Sequence, residues 1–280
     1  MKSRAICIYH KGCADGFTGA WVVRKALKNW DIEFFGGVYG EDPPDVVGRK
    51  VIMVDFSYKR EVMERIVSEA EYVDVFDHHA TAEKELAGMT AANLCVEFDQ
   101  NRSGARIVWD EYFAAPPPEV LLRVEDRDLW RFKLGDTREV MAYVSAIPYE
   151  FEEWDVLMEE KTAMEWIEIC ATGAAFIARD EKILTEILET MTRKIKIGGY
   201  LVPAVNVPKQ MCSDAAHRLC QGQPFAVSYY DRPGKRVFEL RSDDGGIDVS
   251  WVAAGYGGGG HPHAAGFTVP ILETSPFETT

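Results

Sequence analysis

Val75-Phe76-Asp77-His78-His79 is the stretch that decides how this chain is read. A short β-branched and aromatic run delivers an acid and two adjacent imidazoles to the carboxyl end of a strand. Ligands of open α/β sheets bind just outside such ends. The layout recurs upstream: Ala5-Ile6-Cys7-Ile8-Tyr9 empties into His10 and Asp15, and Val51-Ile52-Met53-Val54 empties into Asp55. Taken singly, an Asp after a strand is a helix cap or turn former, and a His pair in a turn is solvated. Taken together, strand ends that meet in one sheet gather carboxylates and imidazoles that must bind cations or repel one another. Mixed oxygen and nitrogen donors suit Mn²⁺, Mg²⁺ or Zn²⁺, with Mn²⁺ favoured where carboxylates dominate.

Outward from that stretch, the first half alternates strand and helix, the pattern of a parallel sheet covered on both faces. The spacing predicts a helix from Phe17 to Lys28 and a second, capped by Ser57, running to Ala70 with Val62, Met63, Ile66, Val67 and Ala70 on one face. Tyr72 to Phe76 returns as a strand, Leu94 to Phe98 reads as another, and Ser103 caps a helix through Ile107, Val108 and Tyr112. Pro116-Pro117-Pro118 ends that region and opens a helix at Glu119. Glu150 to about Lys194 is strongly helical, its Trp154, Leu157, Met158, Met164, Trp166 and Ile169 assigned to core and interdomain packing. Short strands follow at Tyr200–Val207, Phe225–Tyr230 and Val237–Arg241, the last two joined by an Asp231-Arg232-Pro233-Gly234 turn.

The expected fold class is therefore α/β: a mainly parallel sheet with helices on both faces over residues 1–145, a helical connector over 146–195, and a smaller C-terminal α/β domain over 196–280. Thr274 to Thr280 is expected to be a loose tail.

With 280 residues and 47% hydrophobic content, the chain can bury cores for two domains. Met1-Lys2-Ser3-Arg4 leads straight into a strand and no apolar run reaches bilayer length, so the expectation is a cytoplasmic protein with no membrane partner. Its six cysteines form no C-x-x-C pair, which argues against a disulfide framework or a zinc knuckle. A formal net charge of −14 argues against coating long nucleic acid, which needs a basic surface. Two divalent cations would add about +4 locally, so a small anionic substrate remains compatible.

His10-Lys11-Gly12-Cys13-Ala14-Asp15-Gly16, Asp55, Asp77-His78-His79 and Gly257-Gly258-Gly259-Gly260-His261-Pro262-His263-Ala264-Ala265-Gly266 together resemble the ordered motifs of the DHH phosphoesterase family, including its DHH-associated C-terminal domain. The resemblance covers most of the chain. It is strongest toward the branch of nano-RNases and of phosphodiesterases acting on small or cyclic nucleotides. The triplet alone arises readily by chance; the triplet and the glycine–histidine run, in order and about 180 residues apart, do not.

The resemblance implies two divalent ions, with Mn²⁺ the expected metal, held by His10, Asp15, Asp55, His78 and an Asp of Val124–Trp130. Asp126 is preferred there over Asp128, and Asp55 would bridge. A carboxylate can ligate two cations about 3.5–4 Å apart and so clamp both oxygens of an in-line displacement. Asp77 would orient an imidazole, and His79 would face the phosphate. The family's usual first motif carries a carboxylate where this chain has Cys13, a candidate ligand in its place: a neutral thiol ligates hard cations poorly, whereas a thiolate would bias the site toward softer ions such as Zn²⁺ or Fe²⁺. Arg241, Ser242, Gly258, Gly259, Gly260 and His261 are similar to the family's substrate-binding positions, where bare backbone and a guanidinium suit a phosphate. His263 is expected to be structural.

These readings imply a phosphodiesterase of short oligonucleotides or small nucleotide phosphoesters that activates water, an oligoribonuclease or exonuclease in family terms. The cleft between the two domains is the expected active site. The alternatives are a phosphatase of a nucleotide bisphosphate and a non-catalytic nucleotide sensor disabled by Cys13. Homodimer formation stays open.

Overall fold

The computed structural model describes residues 4–243 and 245–271; the tail expected at Thr274–Thr280 lies outside them. Its strands are β1 (Arg4–His10), β2 (Asp31–Gly37), β3 (Lys50–Val54), β4 (Tyr72–Asp77), β5 (Leu94–Phe98), β6 (Arg193–Ile197), β7 (Tyr200–Asn206), β8 (Ala226–Arg232), β9 (Lys235–Arg241), β10 (Gly259–His261) and β11 (Ala264–Pro270). Its helices are α1 (Ala14–Ala26), α2 (Arg60–Glu69), α3 (Ala80–Leu86), α4 (Gly104–Tyr112), α5 (Glu119–Asp128), α6 (Thr137–Val144), α7 (Phe151–Leu157), α8 (Ala163–Met191), α9 (Cys212–Leu219) and α10 (Val249–Ala254). The chain divides into two compact units, up to Ala178 and from Arg179 on, so the division falls inside α8.

The first unit is built on a five-stranded sheet in the order β2-β1-β3-β4-β5, every pair parallel. This is the doubly wound α/β arrangement expected, and its winding reverses between β1 and β3, where the carboxyl ends open a crevice. Side chains alternate across the sheet with period two. Ile6, Ile8, Val51, Met53, Val73 and Val75 face one core with Met63, Ile66 and Val67 of α2. Cys7, Ile52, Val54 and Phe76 face the other with α1, α4 and α5. Both faces are therefore covered, and burying each of these large aliphatic side chains contributes about 1.5–3 kcal/mol. Trp154 of α7 is fully buried in the second core, its indole N–H donating to Thr18 Oγ1 at 3.1 Å, which matches the packing role expected for it.

The second unit carries a six-stranded sheet in the order β10-β11-β9-β8-β7-β6. It is mixed: β7 and β8 pair in parallel and the other neighbours are antiparallel. The hairpin expected between β8 and β9 is present, with Gly234 at φ 68° supplying the left-handed residue of its turn.

Several boundaries differ from expectation. Ser57 does not cap α2; Lys59 takes that position, while Ser57 is buried and its hydroxyl donates to Asp77 Oδ2 at 3.2 Å. The first helix begins at Ala14, three residues before Phe17, because Phe17 N–H already donates to the Cys13 carbonyl. The helical stretch after Glu150 is broken between Leu157 and Ala163. Met164 at the start of α8 is exposed rather than packed. Edge strand β2 has no counterpart in the sequence reading, since Asp31–Gly37 shows neither clean alternation nor an all-apolar run.

Candidate metal centre

Three adjacent strands and two helix starts place the candidate ligands. His10 is the last residue of β1, Asp55 follows β3 directly, and Asp77 ends β4 with His78 and His79 behind it. Asp15 lies in the first turn of α1. Its carboxylate accepts from the N–H groups of Gly104 at 2.7 Å and Ala105 at 3.2 Å, the positive start of α4. Gly104 is required there: a Cβ would fall 2.7 Å from the Asp55 Cβ. Asp55 itself adopts φ 54°, a left-handed conformation costing about 1–3 kcal/mol in a non-glycine residue. Strain of this kind concentrates at functional sites.

The side chains converge on Asp55. Its Oδ1 lies 3.2 Å from His78 Nε2, its Oδ2 lies 3.4 Å from His10 Nδ1, and His79 Nδ1 is 3.8 Å away. His78 Nε2 is also 3.2 Å from Asp128 Oδ2. Ligand-capable atoms of Asp15, Asp55 and His78 fall within 4.8 Å of one another, as do those of His10, Cys13 and Asp55. Asp55 thus belongs to both of these donor groups, and to a third with Asp77 and His79. Asp55 Oδ2, Asp128 Oδ2 and His10 Nδ1 are buried with no hydrogen-bond partner. Buried polar atoms are almost always paired, so oxygens left bare among imidazoles fit a cation as their missing partner. The donor set, carboxylates with imidazole, fits divalent manganese, magnesium or zinc.

The charges tell the same story. Burial raises the pKa of Asp55, but the imidazoles of His10 and His78 more than offset it and hold the carboxyl well below its ordinary range. Burial, reinforced by the charge on Asp55, pushes Asp15 and Asp128 up. Burial opposes the charge on His78, yet Asp128 and Asp55 raise it to about 10. Cys13 is pushed up by burial and then by the carboxylates of Asp55, Asp128 and Asp15, which keeps it a neutral thiol. Carboxylates packed this closely disfavour one another's ionisation, as the upward shifts of Asp15 and Asp128 show, and a bound cation would relieve them.

One site expectation is corrected. The structure brings Asp128, not Asp126, to the cluster. Both oxygens of Asp126 are taken by the loop after α5: Oδ1 accepts from Lys133 N–H at 2.9 Å, and Oδ2 from Leu134 N–H at 3.1 Å and Thr137 Oγ1 at 2.5 Å. Two residues apart on a helix are rotated by about 200°, so only one of the pair can face the centre. Asp77 accepts from the N–H groups of His78 and His79 and pairs with His79 Nδ1 at 2.7 Å, orienting that ring. Tyr39 was not singled out in the sequence, and Ser57 was read there only as a helix cap. The half-exposed ring of Tyr39 stands 5.3 Å from His10 and 6.2 Å from His79. Its place just beyond the Gly36-Gly37 end of β2 was a signal, available only once β2 is seen as a strand.

In the second unit, Arg241 ends β9 and its guanidinium donates to Ser213 Oγ at 3.0 Å. Ser242 Oγ meets His263 Nδ1 at 2.9 Å, a structural use of His263. A Cβ on Gly258 would lie 2.0 Å from the Gly266 carbonyl, and one on Gly260, at φ 139°, would lie 2.5 Å from that of Ala264. These glycines are demanded by the close approach of β10 and β11.

No family model matches the chain. An uncharacterized protein of Acanthamoeba polyphaga mimivirus is 27% identical, the match covering 98% of this chain and 69% of that protein. Among solved structures, the DHH domain of a member of the s1p family of ribosomal proteins is similar at a TM-score of 0.59 and 12% identity, over 95% of this chain and 82% of that one. RecJ of Thermus thermophilus, in complex with Mn²⁺, is similar at a TM-score of 0.51 and 16% identity, over 96% of this chain and 50% of that one. The resemblance to DHH proteins that the motifs carry is thereby borne out in the fold.

Proposed function

We propose that this chain is a divalent-metal-dependent phosphoesterase that hydrolyses short oligonucleotides or small nucleotide phosphoesters. The observation that carries the reading is the set of buried, unbonded carboxylate oxygens of Asp55 and Asp128 among imidazoles. They lie at the carboxyl ends of β1, β3 and β4. His10, Asp15, Asp55, His78 and Asp128 would hold the cations, and the Mn²⁺ complex of the Thermus protein supports manganese among them. When bound, two such ions supply positive charge for phosphoryl oxygens and bring the pKa of a water toward neutrality.

The chain's own residues supply the rest. Asp55, shared by both donor groups, fixes their spacing. Asp15 is held rigid by the α4 N–H groups, so its orientation costs nothing when substrate arrives. Burial disfavours a charged His79, but the carboxylate of Asp77 outweighs it and raises the imidazole, leaving a proton to donate to a phosphoryl or leaving oxygen. Substrate capture is assigned to Arg241 and His261 of the second unit, with the acidic surface turning long polymers away.

Hydrolysis of di- to pentaribonucleotides, cyclic dinucleotides and nucleotide bisphosphates, with and without Mn²⁺, tests this reading. Short chains should be cut with higher kcat/KM than chains of about twenty nucleotides, and a chelator should abolish turnover. A bisphosphate as sole substrate would replace the phosphodiesterase reading with a phosphatase. No hydrolysis of any phosphoester would overturn it.

A further inference from the structure

We propose that the two cation positions are chemically unequal, and that Cys13 makes the His10 side the position for a softer ion such as Zn²⁺. The inference rests on the metal-dependent reading above and deepens it. One donor group is His10, Cys13 and Asp55, a nitrogen, a sulfur and an oxygen; the other is Asp15, Asp55 and His78, with Asp128 against the same imidazole. Thiolate donors select softer cations, and carboxylate-rich sets select Mn²⁺ and Mg²⁺. Asp55 belongs to both groups, so the contrast between them lies in Cys13 against Asp15.

Cys13 occupies the N-cap of α1 in extended conformation, yet its side chain makes no capping hydrogen bond. Among the described residues, the other cysteines join no group with metal-ligand spacing. The second, independent pointer is Asp55 Oδ2, a buried oxygen that lacks a hydrogen-bond partner and belongs to the side chain, 1% exposed, shared with this group. On binding, the sulfur–metal bond forms as the thiol proton leaves to solvent, as coordinating thiols require.

The test uses the full chain, stripped of metal and titrated with Co²⁺. Thiolate ligation of cobalt produces a near-ultraviolet charge-transfer band that carboxylates and imidazoles do not. The parent should show the band, and Cys13→Ser and Cys13→Asp should lose it while keeping the parent's circular dichroism. In Cys13→Ser, Zn²⁺ affinity at one position should fall at least about tenfold. Cys13→Asp should shift preference from Zn²⁺ toward Mn²⁺. Cobalt binding without the band, or a band that survives Cys13→Ser, overturns the inference alone. A parent that binds no divalent cation overturns the phosphoesterase reading with it.

Discussion

The strand ends of the first unit and the glycine–histidine run of the second are equally conspicuous as sequence motifs, but the structure accounts for them differently. Gly258 and Gly260 are explained by packing, since neither tolerates a Cβ beside β11. Arg241 and Ser242 have protein partners in Ser213 and His263. Around Asp55 the imidazoles of His10 and His78 offset only part of the cost: the backbone is left-handed, Asp55 Oδ2 and Asp128 Oδ2 lie buried without a hydrogen-bond partner, and crowding and burial push Asp15 and Asp128 up. A feature that the fold needs carries little functional information, whereas one that the fold tolerates at a cost points to a ligand.

The largest effect that could break this contrast is catalytic. Asp55→Asn should lower turnover at least about 100-fold while leaving circular dichroism and the unfolding transition close to the parent's. Activity within about tenfold would mean that Asp55 is not the shared ligand. Gly258→Ala should do the reverse, destabilising the second unit by about 1–3 kcal/mol as β10 and β11 are forced apart. If thermal unfolding is unchanged and only KM rises, the glycine serves a phosphate rather than the sheet.

Asp126 sharpens the comparison within the first unit, because two aspartates on α5 have opposite fates. Burial works against its charge, but Thr137 and the Lys133 and Leu134 N–H groups prevail and depress its pKa. Its stabilisation is therefore present above the ordinary carboxyl pKa and lost as pH falls through the depressed folded value. Asp126→Ala should cost about 1–3 kcal/mol at neutral pH, and the difference from the parent should shrink in acid. A constant difference from neutral to strongly acid pH would contradict the assignment. Asp128, raised by burial and by Asp55, is a liability when ionised without a cation. Metal-free Asp128→Asn should melt about 2–4 °C higher than metal-free parent, a gain near 1 kcal/mol. A lower melting temperature would make Asp128 structural.

Much of this was legible in the sequence because periodicity reports burial directly. Ile6/Ile8, Val51/Met53 and Val73/Val75 alternate as a two-sided sheet demands, and Ser103 does accept from Arg106 N–H at 3.3 Å. What was not legible depends on phase and on distant partners. Whether Asp126 or Asp128 faces the centre is set by the rotation of α5, which the loop to Thr137 fixes. Ser57 looks like a cap until Asp77, twenty residues away, claims its hydroxyl. The Asp15 contact with α4 spans 89 residues, beyond any local pattern.

The central claim is that the carboxylates around Asp55 exist to hold divalent cations. Equilibrium dialysis of metal-free protein against Mn²⁺, read by elemental analysis, tests it most directly. The account predicts two equivalents per chain in the parent, and in Asp55→Asn a loss of both or a weakening of both by at least about tenfold. Stoichiometric binding that is indifferent to Asp55→Asn, or no binding by a folded parent, would contradict it.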